Sequence, residues 1–249
     1  MPAEAVAPTR RALQGSRIVR AEARRAARWL GILVLASLLA GSLTARGGAQ
    51  PNDCITIADF SKAKVGEFPA DWKPRKDAGK DVYKVMEDKG LRFLRAVARC
   101  LGIQAAKQHE WDLGAYPVLV WSWRPVEFPK GGDERESKTN DSALAVYMLV
   151  PYSRITGPKA VKYVWSEKVP AGTRLNSNFG LTQARVLRNG APSSQGEWVE
   201  ERVNVLEDYK KYFEQSETPK LAGIAVLTDS DDTGSIAQGD YAGFRACRG

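Results

Sequence analysis

The run Tyr116-Pro117-Val118-Leu119-Val120-Trp121-Ser122-Trp123-Arg124-Pro125-Val126 constrains the fold more than any other stretch. Leu119, Trp121 and Trp123 alternate onto one face, and Val118, Val120 and Ser122 onto the other. Side chains of a strand alternate with a period of two, so apolar residues in both phases describe a strand covered on both sides. Such a strand belongs inside a sandwich and not at a sheet edge. Pro117 and Pro125 bracket it, where a missing N–H costs the ladder least. Its paired tryptophans read as core packing.

The surrounding sequence agrees with that frame. Ile55–Phe60, Val82–Met86, Leu91–Arg99, Ser142–Val150, Val161–Trp165, Leu181–Leu187, Glu197–Val205, Leu221–Leu227 and Asp240–Cys247 read as further strands. Turn signals such as Asp88-Lys89-Gly90 and Arg188-Asn189-Gly190 separate them. Cys100–His109 fits either a strand or a helical turn. Leu206, Tyr209 and Phe213 share a face at helical spacing and predict one short helix. About ten short strands without βαβ alternation predict an all-β chain. The expectation is an antiparallel β-sandwich or jelly roll with at most one or two short helices.

The N-terminus reads as targeting. Arg17, Arg20, Arg24, Arg25 and Arg28 precede a 15-residue uncharged stretch, Trp29–Leu43, and Gly47-Gly48-Ala49 offer small residues to a peptidase. That order is a secretory signal peptide over 1–49, cleaved after Ala49 or, as second choice, Ala45. The alternative is a membrane anchor, but a span needs about 20 apolar residues. Residues 50–249 then form a single exported, periplasmic or secreted domain, meeting a membrane only if the segment stays uncleaved. The segment also carries the charge. Residues 1–49 hold eight Arg and two Glu, leaving 29 basic and 27 acidic residues out of the chain's 37 and 29. A net +2 over the domain gives no field for phosphates, so nucleic acid is not an expected partner.

Three cysteines remain, and an exported protein can keep a disulfide. Cys54 opens the first strand and Cys247 closes the last; these are neighbours in many sandwiches, so Cys54–Cys247 is preferred to Cys54–Cys100. Three free thiols are the alternative.

Chemistry is sparse. His109 is the only histidine, and there is no Gly-x-Ser-x-Gly elbow, phosphate loop or dinucleotide fingerprint. One histidine rules out a His-rich zinc site. The sharpest pattern is Thr228–Asp240. Asp229, Asp231, Thr233 and Gly234 match the early positions of a calcium loop, with Asp240 at the last. A structural Ca²⁺ is therefore the one cofactor the spacing allows; the competing reading is a solvated acidic turn. Asp133, Glu134 and Asp141 in the charged loop Pro129–Asp141 are candidate ligand contacts, against a self-neutralising surface loop carrying Arg135 and Lys138. Trp72 and Trp111 stand near predicted loops and are candidate platforms for a sugar face.

Widely spaced residues carry a resemblance. Tyr116-Pro117-x-Leu119-x-Trp121-x-Trp123-Arg124, Asn140-Asp141-Ser142-Ala143, Tyr163-x-Trp165-Ser166, Trp198-Val199-x-Glu201-Arg202 with Asp208-Tyr209, Gly223-Ile224-Ala225-x-x-Thr228-Asp229-x-Asp231-x-Thr233-Gly234 and Gly239-Asp240 occur in that order. The set resembles the bacterial exported domain-of-unknown-function family 3047 over roughly residues 55–246. The resemblance implies export and no established activity or catalytic residues. That family has paired aspartates where this chain has Asn140-Asp141. More loosely, Asp59-Phe60 near the start and Gly239–Phe244 near the end are similar to jelly-roll carbohydrate-binding modules. The expected function is a non-catalytic domain binding a polysaccharide or cell-envelope component. The alternatives are a carboxylate-based polysaccharide hydrolase or lyase, and an envelope scaffold without a small ligand.

Overall fold

A computed structural model describes residues 53–177 and 180–249; the expected signal peptide lies outside them. The chain runs β1 (Cys54–Ala58), β2 (Lys73–Pro74), α1 (Gly79–Val82), β3 (Tyr83–Asp88), β4 (Leu91–Arg99), β5 (Ala105–Gln108) and β6 (Val118–Glu127). It continues through β7 (Leu144–Ser153), β8 (Gly157–Ser166), β9 (Arg174–Ser177), β10 (Thr182–Asn189), β11 (Val199–Asn204), α2 (Val205–Phe213), β12 (Gly223–Leu227) and β13 (Ile236–Cys247). Two sheets form a sandwich. One has the order β11-β6-β13-β4-β3, with β1 also paired to β13; the other has the order β2-β5-β12-β7-β8-β10-β9.

The core lies between the sheets and is organised on β6. Trp121 and Trp123 are fully buried. Their rings meet edge to face at 5.2 Å, and reach Tyr163 at 5.6 Å and Trp165 at 5.7 Å on the opposing sheet. Trp123 Nε1 donates to Glu201, which also accepts from Arg188, so the indole's one polar group is satisfied inside. On the other face of β6, Val118 and Val120 pack with Cys247 and Cys54, and Arg124 further along lies between the Phe93 and Trp198 rings.

Long β13 holds its sheet together. Its first half pairs with β4 and its second with β1 along the same edge, while β6 runs along the other. The register to β6 shifts between Ala242 and Arg245, around Gly243 at φ +63°. A residue without Cβ takes that left-handed turn freely, and the bulge lets the strand swing from one neighbour to the next. Cys54 and Cys247 are register partners and form a disulfide.

Three details depart from the sequence reading. Pro125 lies within β6, opposite a register shift in β13 and beyond the last pair with β11, so its missing N–H breaks no regular ladder. β8 and β10 pair in parallel, because the chain crosses over to lay β9 outside β10 before returning. Finally, the charged loop after β6 is solvated only at its tip: Glu134 and Asp141 are buried. The predicted helix appears as α2, where the Asn204 side chain caps the Glu207 N–H. No described helix is long and apolar enough to cross a membrane.

Candidate functional site

The outer face of the seven-stranded sheet carries a cleft of about 720 Å³. Alternation places Val146, Met148 and Tyr163 inward, so Tyr147, Leu149 and Lys162 face out. Tyr147, Leu149, Ala160, Ala106 and Leu227 line the cleft, with Lys73 and Arg75 on the rim. Asp229 and Asp231 line it too.

The turn bearing those aspartates is built from the end of β12. The Thr228 hydroxyl donates to Ala143 O at 2.8 Å and meets the Tyr241 hydroxyl at 3.0 Å. Asp229 then bridges to Gly102, and its N–H reaches Ser142 O. Glycine opposite leaves room for both carboxylates as they stand: a Cβ at position 102 would lie 2.3 Å from Asp229 Oδ1 and 2.8 Å from Asp231 Oδ1. The charged loop closes the arrangement. Buried Asp141 accepts from the Thr233 N–H at 2.7 Å, the Thr233 hydroxyl at 2.6 Å and the Asp232 N–H at 3.3 Å. The two acidic stretches singled out by sequence are thereby joined in space.

Asp141, Asp231 and Asp232 bring one oxygen each within 4.8 Å of the others, and they are the described residues that could hold a metal ion. Charge is concentrated there. Burial, then a hydrogen bond with Asp231 and the charges of Asp231 and Asp141, push Asp229 from 3.8 up to about 8, against the opposing pull of Lys162. Burial lowers Lys162, but Tyr147, Asp229 and Glu134 outweigh it and hold the ammonium above its ordinary value.

A pH prediction follows from Asp229. The folded chain keeps a proton that the unfolded chain has lost, so the carboxyl's contribution to stability is complete below about pH 4 and declines as pH rises to about 8. The urea midpoint of the wild type is expected to fall relative to Asp229→Asn between about pH 5 and about pH 9. Parallel pH profiles for the two proteins would refute the buried proton. A second prediction concerns Gly102→Ala. The atoms met by the new methyl are ends of aspartate side chains, which can swing aside. Stability should change by less than about 1 kcal/mol, while the pH dependence assigned to Asp229 collapses; unchanged pH dependence counts against the packing described.

Other expected site residues are placed elsewhere. Asp240 does not join the turn. It is fully buried on the outer face of the six-stranded sheet, where it accepts from Arg95 Nε and Nη2 and from Arg124 Nε. Thr233 spends its hydroxyl on Asp141 and Ser235. Asp133 chelates Arg135 through both oxygens, a bond that holds it down at about 2. Glu134 accepts from the Ser166 hydroxyl at 2.5 Å. The Trp72 ring is buried against Phe60 and Phe244, leaving no face for a sugar. Trp111 is half-buried, with Nε1 on Tyr116 O. Sequence reasoning missed Lys162, Gly102 and Asp232. The signal for Lys162 was legible: it is the lone cation in the apolar run Val161–Trp165, out of phase with Tyr163 and Trp165.

Fold and site define a β-sandwich with an acid-ended cleft on one outer face. The chain belongs to the family Protein of unknown function (DUF3047), which matches residues 70–245. No curated protein matches the chain. Most residues of the motif set have structural partners: Trp123 with Glu201, Tyr163 with Asp208, Ser166 with Glu134, Asp240 with two arginines. Asp229 and Asp231 are motif residues that line the cleft.

Proposed function

We propose that this is an exported, non-catalytic protein that binds a glycan or similar cell-envelope polymer in the cleft of the seven-stranded sheet. The supporting observation is the cleft itself: it draws on several strands of the sheet and is lined by Tyr147, Leu149, Ala160 and Leu227 together with Gln104, Ser177, Thr182, Asp229 and Asp231. Apolar side chains interleaved with Gln104, Thr156, Ser177 and Thr182 suit a sugar, which presents both apolar C–H faces and hydroxyls. The cleft also weighs against a scaffold lacking any small ligand. In support of export, Cys54 and Cys247 are paired, as in an oxidising compartment.

A carboxylate hydrolase or lyase fits less well. Asp229 and Asp231 are hydrogen-bonded to each other, closer than the roughly 5–9.5 Å that two-carboxylate glycoside chemistry uses. The test is co-sedimentation of the purified protein with insoluble cell-wall polysaccharides, followed by an assay for released reducing ends. Binding without release is expected, with binding lost in Tyr147→Ala. Release of reducing ends that stops in Asp231→Asn would favour the hydrolase. The mature mass should correspond to a chain beginning at Gln50; a full-length mass contradicts the cleavage.

A further inference from the structure

Two cations line the cleft from β2, the edge strand of the seven-stranded sheet: Lys73 and, just beyond the strand, Arg75. Register sets their placement. Lys73 lies opposite Ala106, and residues directly opposite each other share a face. The Arg75 N–H donates to Gln104 O at 2.9 Å, one step further along in the same phase. Ala106 and Gln104 both line the cleft, so the two cations stand side by side on its wall.

The acids nearest to them in sequence are engaged elsewhere. Asp71 pairs with Lys107, and Asp77 with Lys80 at 3.5 Å. Other cations on the strands are also paired: Arg95 and Arg124 with Asp240, Arg188 with Glu201, Arg245 with Glu200. Among the described residues, Lys73 and Arg75 form an ion pair with none. Water satisfies an exposed cation, so it is the position of this pair, in phase on a cleft wall, that restricts the ligand.

The acids of the cleft occupy a different stretch. The Asp229 and Asp231 oxygens crowd Gly102, four positions before Ala106, or roughly 13 Å of extended chain. A guanidinium and an ammonium only donate, and a carboxylate can accept two parallel bonds from an arginine. The same carboxylate would be repelled at the Asp229–Asp231 end, which accepts from hydroxyls instead. A polymer lying along this line is therefore held in one register by its charge.

We infer that the cleft takes an acidic polysaccharide, with Lys73 and Arg75 binding the carboxylate of a uronic-acid unit. This rests on the glycan-binding reading and adds the charge class of the sugar.

The experiment measures affinity of the purified protein for polygalacturonate, alginate and hyaluronate, each beside its own carboxyl-reduced, neutral form. At least one acidic polymer is expected to bind, with its reduced form about 5–30-fold weaker, the effect of two exposed ion pairs. Added salt should narrow that gap. Lys73→Gln with Arg75→Gln should weaken binding of the acidic polymer by the same factor and leave binding of the reduced form unchanged. Both side chains are exposed, so the double variant should fold, as circular dichroism would verify. Lys210→Gln with Lys211→Gln removes equal charge from α2, outside the cleft lining, and should bind as wild type does. Reduced polymers binding as tightly as their parents, or the α2 variant losing as much as the cleft variant, would overturn the uronate site while leaving glycan binding intact. No binding by wild type of any polysaccharide, acidic or neutral, would overturn both readings.

Discussion

Replacing Cys54 and Cys247 together by serine is expected to destabilise the domain by about 5 kcal/mol, the largest effect of any change proposed for this protein. The argument is one of chain entropy. The bridge closes a loop with a sequence separation of 193, and loop-closure entropy grows with the logarithm of length. In the folded state little else would change. The two residues remain register partners on β1 and β13, and a serine pair fills nearly the same space at the end of the Val118–Val120 patch. The loss should therefore appear as a melting temperature roughly 10–20 °C lower, with spectra of the folded protein preserved. Reduction of the wild type should reproduce the double variant. Free-thiol counting on denatured, unreduced protein should find one thiol, that of exposed Cys100. Three thiols, or a double variant as stable as wild type, would refute the bridge or its weight.

The same strand pair shows what the sequence made legible. A strand carries its phase locally: Trp121 and Trp123 could be assigned to the core because their neighbours alternate against them, and burial bears this out. Pairing the first strand with the last followed from sandwich closure. What stayed hidden was non-local. Whether β10 runs parallel or antiparallel to β8 depends on where the chain crosses over, and alternation is indifferent to direction. Trp72 was assigned to a loop surface, but the loop folds its ring onto Phe60 and Phe244. The charged loop contains no apolar residue, yet it buries Glu134 on Ser166 and Asp141 on Thr233. Its partners lie 32 and 92 residues away, and no local pattern records them. Asp240 is different, because its placement was readable. It immediately precedes Tyr241, which is buried in the core, so alternation sends Asp240 to the opposite face. A loop template laid over the same residues concealed that.

Asp240→Ala is accordingly expected to act on stability and not on the cleft. Its carboxylate is wholly buried, forked by Arg95 at 2.8 Å through each oxygen and met by Arg124 at 2.7 Å. Arg124 is itself sandwiched, its guanidinium 4.5 Å from the Trp198 ring centre and 5.1 Å from that of Phe93, so it cannot turn to solvent without unstacking. Deleting the anion leaves two guanidinium groups facing each other, with side chains 29% and 12% exposed. Removing one partner of a buried pair costs about 3–5 kcal/mol, much of it the expense of the charge left behind. Urea unfolding should show that loss in Asp240→Ala. Adding Arg95→Met and Arg124→Met should recover a large part of it, because the uncompensated charges disappear together. Non-additivity separates this from simple cavity formation, which the methionines would not repair. Ligand affinity in the cleft should be unchanged in every folded variant of the set. A variant that keeps wild-type stability, or a triple variant no better than Asp240→Ala alone, would show that the two arginines do not depend on Asp240 as the geometry indicates.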